Sequence, residues 1–483
     1  MSRKRRATSL LQETIETRED GSLGSHQGNL TAKPALQSCP TLPLELEHMI
    51  IGHLHGNLVA LKAASLVCKD WTKAARRHLF HTVELAGVNQ LLRFSADVPL
   101  IPDIRESVQV LEIRGEGDQL MAAPQPLPTY VNFVVDTVAS MPRLLELHFV
   151  SAPMVFKPFA INPPRRSSLR FLAFTMRNCS PEDFQCMLHI VGLFSDISSL
   201  IFSMIDPMNV DGQAMPSPEK LLQAGVLPSY GPVKLRCLEI MGINHHWLPL
   251  LLCTLRHVGA LRDRTLAMHL WPNMVRNSDM AVEAASATRT SLEGYGAFFG
   301  GLGPALRLLD VDLLYPIAAA REQLNGNLFT ILGLSACTNL QWLSLYLDVP
   351  NDLDDAQVIL ASTLRAYTEI LATTHFPALN FVALHLIADG ATDEDELFYD
   401  LDWSLLTSAL LGLPALFRFV IYMRCNRPRA PMGGRYLQDL MPLHRAGKFI
   451  LIHAKEDASG QQAIPVLHPE SRDRGILLAE GRQ

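Results

Sequence analysis

The sequence predicts a mixed fold, α+β or α/β, in which a small all-helical segment is followed by an irregular solenoid of strand–helix repeats. Three observations predict it: an apolar, helix-forming stretch over 39–85, alternating apolar segments that recur after it, and amphipathic stretches between those segments. A strand and a helix every ~20–40 residues are typical of a leucine-rich repeat horseshoe, in which neighbouring units share one core. The predicted domains are a disordered N-terminal tail over 1–38, the helical segment over 39–85, the solenoid over 86–453 and a C-terminal tail over 454–483.

Composition is that of a folded protein without a strong positive charge. Of the 483 residues, 48% are apolar and 19% are charged, and the formal net charge is −6. That charge argues against nucleic-acid binding through bulk electrostatics. The N-terminus lacks the apolar core of a secretory signal, and the longest apolar run, 247–255, is far shorter than a membrane-spanning helix. We therefore expect a soluble protein of the cytoplasm, the nucleus or both.

The two ends of the chain have a different character from the middle. The N-terminal tail is rich in polar and charged residues, and its basic run from Arg3 to Arg6 suits either a nuclear-import signal or a solvated terminus. Near the other end, 448–453 predicts a last strand, followed by a loose tail.

Three short helices are predicted within the helical segment. Their approximate bounds are Pro43 to Leu54, Leu58 to Val67 and Lys69 to Phe80. Gly56 and Asn57 break the first from the second. Ile50 and Ile51 point in clearly different directions, because successive helical residues are rotated by ~100°. Such a helix needs burial on more than one side, which ~40 residues cannot supply, so either the later domain or another protein must cover the surplus.

Ten strands are predicted from apolar-x-x-apolar-x-apolar segments after residue 85. They begin at Val108, Leu144, Leu169, Ile197, Leu235, Leu306, Leu340, Leu379 and Leu416, with a weaker one at Leu266. The regular polar residue of leucine-rich repeats is mostly absent, although Asp348 fits. An ordinary α/β domain with parallel strands has the same pattern of aliphatic residues and remains an alternative. Insertions at 206–233 and 276–304 interrupt the array and are candidate binding loops.

No catalytic, cofactor or metal site is predicted. The glycines of 294–303 do not form a nucleotide-binding fingerprint, and "GLSAC" at 333–337 lacks the last glycine of a nucleophile elbow. His245 and His246 are adjacent and cannot share a helix face, and the acidic run 393–396 lacks calcium-loop spacing. The eight cysteines form no C-x-x-C pair and are predicted to be reduced and mostly buried.

Cys68 tests that prediction most directly, because it lies in "LVCKDW" at 66–71 beside a lysine and an aspartate. A reactive cysteine needs exposure and a group that stabilises the thiolate. The apolar neighbours in sequence predict instead that Cys68 is a buried packing residue.

The segment "LPLELEHMIIGHL…NLVALKAASLVCKDW" closely resembles an F-box. The family pattern matches at Leu42, Pro43, Glu45, Leu46, Ile50, Leu54, Leu58, Leu61, Leu66, Val67, Cys68, Lys69 and Trp71. The continuation "ARRHLFHTVEL" is similar to many fungal F-box proteins. Asn57 departs from the family's usual aspartate, although asparagine also caps helices. The match covers about a tenth of the chain.

The resemblance implies a non-catalytic subunit of an SCF-type ubiquitin ligase. F-boxes bind a Skp-family adaptor, which links them to a cullin, and the leucine-rich region would recruit an unknown protein target. The implied adaptor contacts are Leu42, Pro43, Leu46, Ile50, Leu61, Val67 and Trp71. Leu54 and Leu66 are candidates for holding the helices together instead. Two alternatives remain: a protein-interaction scaffold without a role in ubiquitination, and an enzyme whose polar groups converge in a pocket.

Overall fold

The structure is a computed structural model that divides into two compact units, Met1–Ile50 and Ile51–Gln483. It describes residues 42–115, 137–151, 166–176, 181–203, 232–241, 247–262, 266–271, 281–313, 331–349, 356–388, 401–425 and 435–454. The predicted N-terminal tail over 1–38, all of the predicted C-terminal tail over 454–483 except Ala454, and nearly all of the predicted insertion 206–233 lie outside these residues.

One parallel sheet organises the second unit. Within the described residues its twelve strands follow chain order from one edge to the other, and every neighbouring pair is parallel. Parallel neighbours need crossover connections rather than tight turns. The strands are β1 (Thr82–Ala86), β2 (Val110–Arg114), β3 (Glu146–Val150), β4 (Arg166–Thr175), β5 (Phe194–Ser203), β6 (Lys234–Met241), β7 (Leu266–Trp271), β8 (Leu306–Val311), β9 (Trp342–Val349), β10 (Phe381–Ala388), β11 (Arg418–Cys425) and β12 (Phe449–Ala454).

Helices precede the sheet and lie in many of its crossovers. In the described residues the α-helices are α1 (Leu44–His53), α2 (Leu58–Ala64), α3 (Lys69–Leu79), α4 (Gly87–Asp97), α5 (Pro102–Arg105), α6 (Pro181–Gly192), α7 (Leu248–His257), α8 (Ala281–Leu302), α9 (Ala356–Thr373), α10 (Trp403–Gly412) and α11 (Arg435–Arg445). The predicted helices over 181–197 and 356–374 correspond to α6 and α9. The first of these ends earlier than predicted, because β5 begins at Phe194.

Strand alternation sends one set of side chains into a continuous core and the other set to the opposite face of the sheet. On β9, Leu343, Leu345 and Leu347 are buried in the core together with helical residues such as Leu364 and Tyr367. Within this core, Phe149, Phe174 and Phe202 stack across β3, β4 and β5, with ring centroids 5.2 Å and 5.5 Å apart. We call the side of the sheet that faces away from this core the second face.

The predicted fold class, a small all-helical domain followed by a leucine-rich solenoid, is wrong. The twelve-stranded, wholly parallel sheet with interspersed helices is an α/β fold, the alternative that the sequence left open. Strand–helix alternation is common to both architectures, so the aliphatic repeat could not separate them. The sheet also begins within the segment predicted to be helical, since β1 pairs with β2 from Thr82 to Ala86.

The individual strand predictions were more accurate than the fold class. Each of the ten predicted segments coincides with a strand, and 448–453 with β12. β1 was missed. The predicted insertion 276–304 holds the long helix α8, in which a Cβ added to Gly296 would lie 1.6 Å from the backbone oxygen of Ile331. The glycine there permits close approach of two backbone segments and does not form a ligand loop.

Candidate functional site

The described part of the first unit carries exposed aliphatic side chains. The carbonyl oxygen of Pro43 accepts hydrogen bonds from the backbone N–H groups of Leu46 (2.9 Å) and Glu47 (3.1 Å), and α1 starts at Leu44, one residue after the predicted start. Glu45 and Glu47 lie in the first turn, where the helix dipole favours negative charge. The apolar side chains that are 41–54% exposed are Leu42, Leu44, Leu46, Met49 and Ile50. Local backbone hydrogen bonds therefore form this helical turn, while its large aliphatic side chains remain exposed to solvent.

A small separate core joins the helices at the start of the second unit. Its buried members are Ile51, Leu61, Ala64, Ala74 and Ala75, with Leu54, Trp71 and Leu79 partly buried against them. The two alanines of α3 allow close helix–helix approach. Only two large aliphatic residues are fully buried in this core, so it leaves other apolar side chains of the same helices uncovered.

The break between α1 and α2 has the predicted chemistry. Gly56 has φ of +89°, in the left-handed region that glycine adopts without steric strain. The side-chain oxygen of Asn57 accepts a hydrogen bond from the N–H of Ala60 at 3.1 Å and caps α2. Asparagine therefore performs the capping expected at this position of the F-box-like pattern.

The second unit also exposes aliphatic residues, around α2 and the turn that follows it. Leu58 and Val59 are exposed at the start of α2. Leu66 and Val67, in the turn before α3, are 86% and 63% exposed. The prediction that Leu66 holds the helices together is therefore wrong, whereas Leu54 does pack against the small core.

The implied adaptor contacts fall into three groups. Exposed side chains are Leu42, Pro43, Leu46 and Ile50 in the first unit and Val67 in the second. Trp71 is half-buried against the small core. Leu61 is 0% exposed, so it stabilises the helices and is not open to a partner. Sequence reasoning could not make this division, because the family pattern does not say which face of α2 points inward.

Cys68 is exposed, contrary to the prediction that it is a buried packing residue. It occupies the N-cap of α3, where its carbonyl oxygen accepts bonds from the N–H and the hydroxyl of Thr72, both at 2.8 Å. The apolar residues before it in sequence, Leu66 and Val67, are themselves exposed and do not cover the thiol.

Three histidines come together where the helices meet the sheet. The ring centroid of His55 lies 5.6 Å from those of both His78 and His81. Burial, followed by the charges of His55, His81 and Arg77, lowers the pKa of His78. No group of three or more histidine, cysteine or acidic side chains among the described residues is arranged to hold a metal ion.

Polar groups on the second face of the sheet form a cluster that the sequence did not predict. His269 Nδ1 lies 2.8 Å from Asp310 Oδ2, and the hydroxyl of Tyr346 donates to the same oxygen at 3.2 Å. Burial lowers the pKa of His269, but hydrogen bonds with Asp310 and Cys237 outweigh it and raise the pKa to about 10. The imidazolium is therefore the stable form at neutral pH.

Stacked rings surround small side chains beside this ion pair. Trp342 stacks on Phe381 with centroids 3.6 Å apart, and His385 stacks between Tyr346 and Tyr422 at 4.4 Å and 4.7 Å. Burial lowers the pKa of His385 to about 4, although the charge of Asp310 opposes this. We call the whole set the sheet-face cluster, and its members are His269, Asp310, Trp342, Ser344, Tyr346, Phe381, His385 and Tyr422.

The weak sequence motifs that lie within the described residues form no catalytic site. The "GLSAC" stretch forms a short 3-10 helix, Leu334–Ala336, before β9, and burial raises the pKa of the Cys337 thiol to about 12. His245, His246 and the acidic run 393–396 lie outside the described residues.

Among the helices that the structure describes, none combines the length and apolarity needed to cross a membrane. Comparison of the sequence with models of known protein families gives no match. Comparison with curated proteins gives no match either.

Proposed function

We propose that this chain is a substrate-receptor subunit of an SCF-type ubiquitin ligase, acting in the cytoplasm, the nucleus or both. In this proposal its N-terminal helices bind a Skp-family adaptor, which is held by a cullin. The rest of the chain binds a protein target. The chain itself makes and breaks no bonds; it raises the local concentration of the target near the ubiquitin-carrying enzyme.

The observation that carries this proposal is the exposure of aliphatic side chains at the positions where the sequence resembles an F-box. Leu42, Leu46 and Ile50 are exposed in the first unit and Val67 is exposed in the second. Leu46 and Ile50 lie one helical turn apart on α1, Leu42 lies just before it, and Val67 lies in the turn before α3. Contiguous exposed apolar side chains typically mark a partner surface. Helix-borne aliphatic anchors are also how a helix binds into an apolar groove.

The adaptor itself provides the test. We expect purified Skp-family adaptor to bind the full chain, and the Leu42→Ala/Pro43→Ala double variant to lose binding by about a hundredfold or more, because buried anchors dominate interface energies. Surface plasmon resonance measures both affinities. The matched control is Leu100→Ala, which truncates an aliphatic residue that is 77% exposed outside the F-box-like segment.

Circular dichroism should show that the double variant and the control are as folded as the wild type. Adaptor affinity that stays within about twofold of wild type in the folded double variant contradicts the proposal.

A protein-interaction scaffold that binds the adaptor without delivering a target is the second candidate, since the same exposed residues support it. Quantitative proteomics after depletion of the chain separates the two. A substrate receptor should leave at least one protein accumulating with a longer half-life, whereas a scaffold should leave half-lives unchanged.

A further inference from the structure

The sheet-face cluster is built by the register of the parallel strands. Asp310, Ser344, Ala383 and Val420 are direct partners in successive strands, from β8 to β11. Because parallel partners lie side by side, these residues form one row across the second face. The row begins with a carboxylate and continues with small and aliphatic side chains.

Aromatic rings form two further rows, one on each side of this central row. Trp342 pairs in register with Phe381, and Tyr346 pairs with His385, which in turn pairs with Tyr422. The indole N–H of Trp342 donates to Ser344 at 3.2 Å, which ties one aromatic row to the central row. Trp342, Phe381 and His385 are only half-buried, so parts of their rings remain accessible.

The charge at the carboxylate end of the row is negative. Glu239 is the register partner of His269 on one side, and Asp310 is its partner on the other. The Glu239 carboxylate accepts a hydrogen bond from Ser199 at 3.0 Å, and Asp312 lies close enough to Tyr346 to raise its pKa. Two carboxylates therefore flank the His269 imidazolium, and a third, that of Asp312, lies beside Tyr346.

Asp310 itself has unused hydrogen-bonding capacity. Both hydrogen bonds described above go to its Oδ2 atom, and its buried Oδ1 atom accepts none from the residues that the structure describes. A carboxylate with an oxygen that lacks a donor is stabilised by a further N–H group, and the Asp310 side chain keeps 13% of its surface exposed to such a group. Guanidinium and ammonium groups supply such donors, and they also bind over aromatic faces.

We propose that the sheet-face cluster binds an arginine- or lysine-bearing segment of another protein, with the cationic head at Asp310 and the side-chain stem along the aromatic rows. Negative charge next to accessible aromatic rings selects this occupant over acidic or purely aliphatic segments. The identity of that protein as a ligase target rests on the proposed function, but the binding itself does not involve the adaptor.

A charge-matched pair of peptides tests this inference. The probe is a short fluorescent peptide of alternating arginine and leucine, and its control replaces arginine by citrulline, which keeps the shape and removes the charge. Fluorescence anisotropy with the full chain should show saturable binding of the arginine peptide and about tenfold weaker binding of the citrulline peptide, a difference of about 1.4 kcal/mol. Equal affinities, or no saturable binding of the arginine peptide, overturn the inference.

Variants locate the binding on the sheet. Asp310→Asn should weaken the arginine peptide about tenfold, and Tyr422→Leu should weaken it by several fold. Glu146→Gln is the matched control, because Glu146 is a carboxylate of the same face on β3, paired with His148 at 3.5 Å. If Asp310→Asn proves unfolded, the Tyr422→Leu variant and the citrulline comparison still decide the question. Wild-type affinity in folded Asp310→Asn and Tyr422→Leu contradicts the inference, and adaptor binding, measured separately, is unaffected by that outcome.

Discussion

Most leucine side chains are exposed in the N-terminal helical segment and buried in the sheet. Leu343 on β9 is 0% exposed, whereas Leu66 before α3 is 86% exposed. Each strand of the sheet meets the same continuous core as its helices, so its aliphatic side chains are removed from water. The N-terminal helices have a core with only two large buried aliphatics, Ile51 and Leu61. The difference shows that exposure in the helices follows from the small size of that core and not from a lack of apolar residues.

The same substitution in the two regions provides the largest expected contrast. Leu343→Ala should lower the free energy of unfolding by about 2–5 kcal/mol, because it leaves a cavity in a filled core. Leu66→Ala should change it by less than about 0.5 kcal/mol. Urea denaturation followed by circular dichroism measures both. Comparable losses in the two variants would mean that the helical segment is as tightly packed as the sheet.

His385, on the second face of the sheet, should make the free energy of unfolding depend on pH. The folded pKa of His385 is about 4, below the ordinary value of 6.5, so the unfolded chain takes up this proton first. The stability contributed by neutral His385 is complete above about pH 6.5 and is lost as pH falls towards 4. Between pH 7 and pH 5 the loss is at most about 2 kcal/mol.

The variant His385→Gln isolates this contribution, because other titrating groups are shared with the wild type. Urea denaturation at pH 7 and pH 5 should show a smaller decrease in the variant. An identical decrease in both proteins would mean that His385 charges freely in the folded state.

Backbone packing in the N-terminal helices and in the sheet-bearing region can be compared at two helical glycines. A Cβ at Gly296 in α8 would overlap the Ile331 carbonyl, whereas a Cβ at Gly52 in α1 meets nothing within 4 Å. We expect Gly296→Ala to lower the melting temperature, with a loss of about 1–3 kcal/mol. Gly52→Ala should raise the free energy of unfolding slightly, by about 0.5–1 kcal/mol, through helix propensity. A stable Gly296→Ala variant would indicate that α8 and the segment at Ile331 separate easily.

Sequence patterns predicted elements better than they predicted architecture. The strands were predictable because their core residues alternate with others at a fixed short spacing, as Leu309 and Val311 do on β8. The fold class was not, because strand–helix alternation is shared by several parallel architectures. β1 was missed because only Val83 and Leu85 mark it.

The two candidate sites differ in how much of each could be predicted from the sequence. Exposure of Leu42, Leu46 and Ile50 agrees with the positions that the F-box resemblance implied for a partner, whereas the burial of Leu61 depends on which way α2 faces. The sheet-face cluster could not be predicted, because Asp310 and Tyr346 are 36 residues apart in sequence and meet only through strand register.

The most direct test of the central claim, that the exposed aliphatic residues of the N-terminal helices are covered by an adaptor, is isothermal titration calorimetry of the full chain with a purified Skp-family adaptor at several temperatures. Burial of apolar surface predicts saturable one-to-one binding with a negative change in heat capacity. It also predicts that Leu42→Ala/Pro43→Ala removes both the binding and that change. Absence of saturable binding, or binding whose heat capacity change is unaltered in the double variant, would contradict the claim.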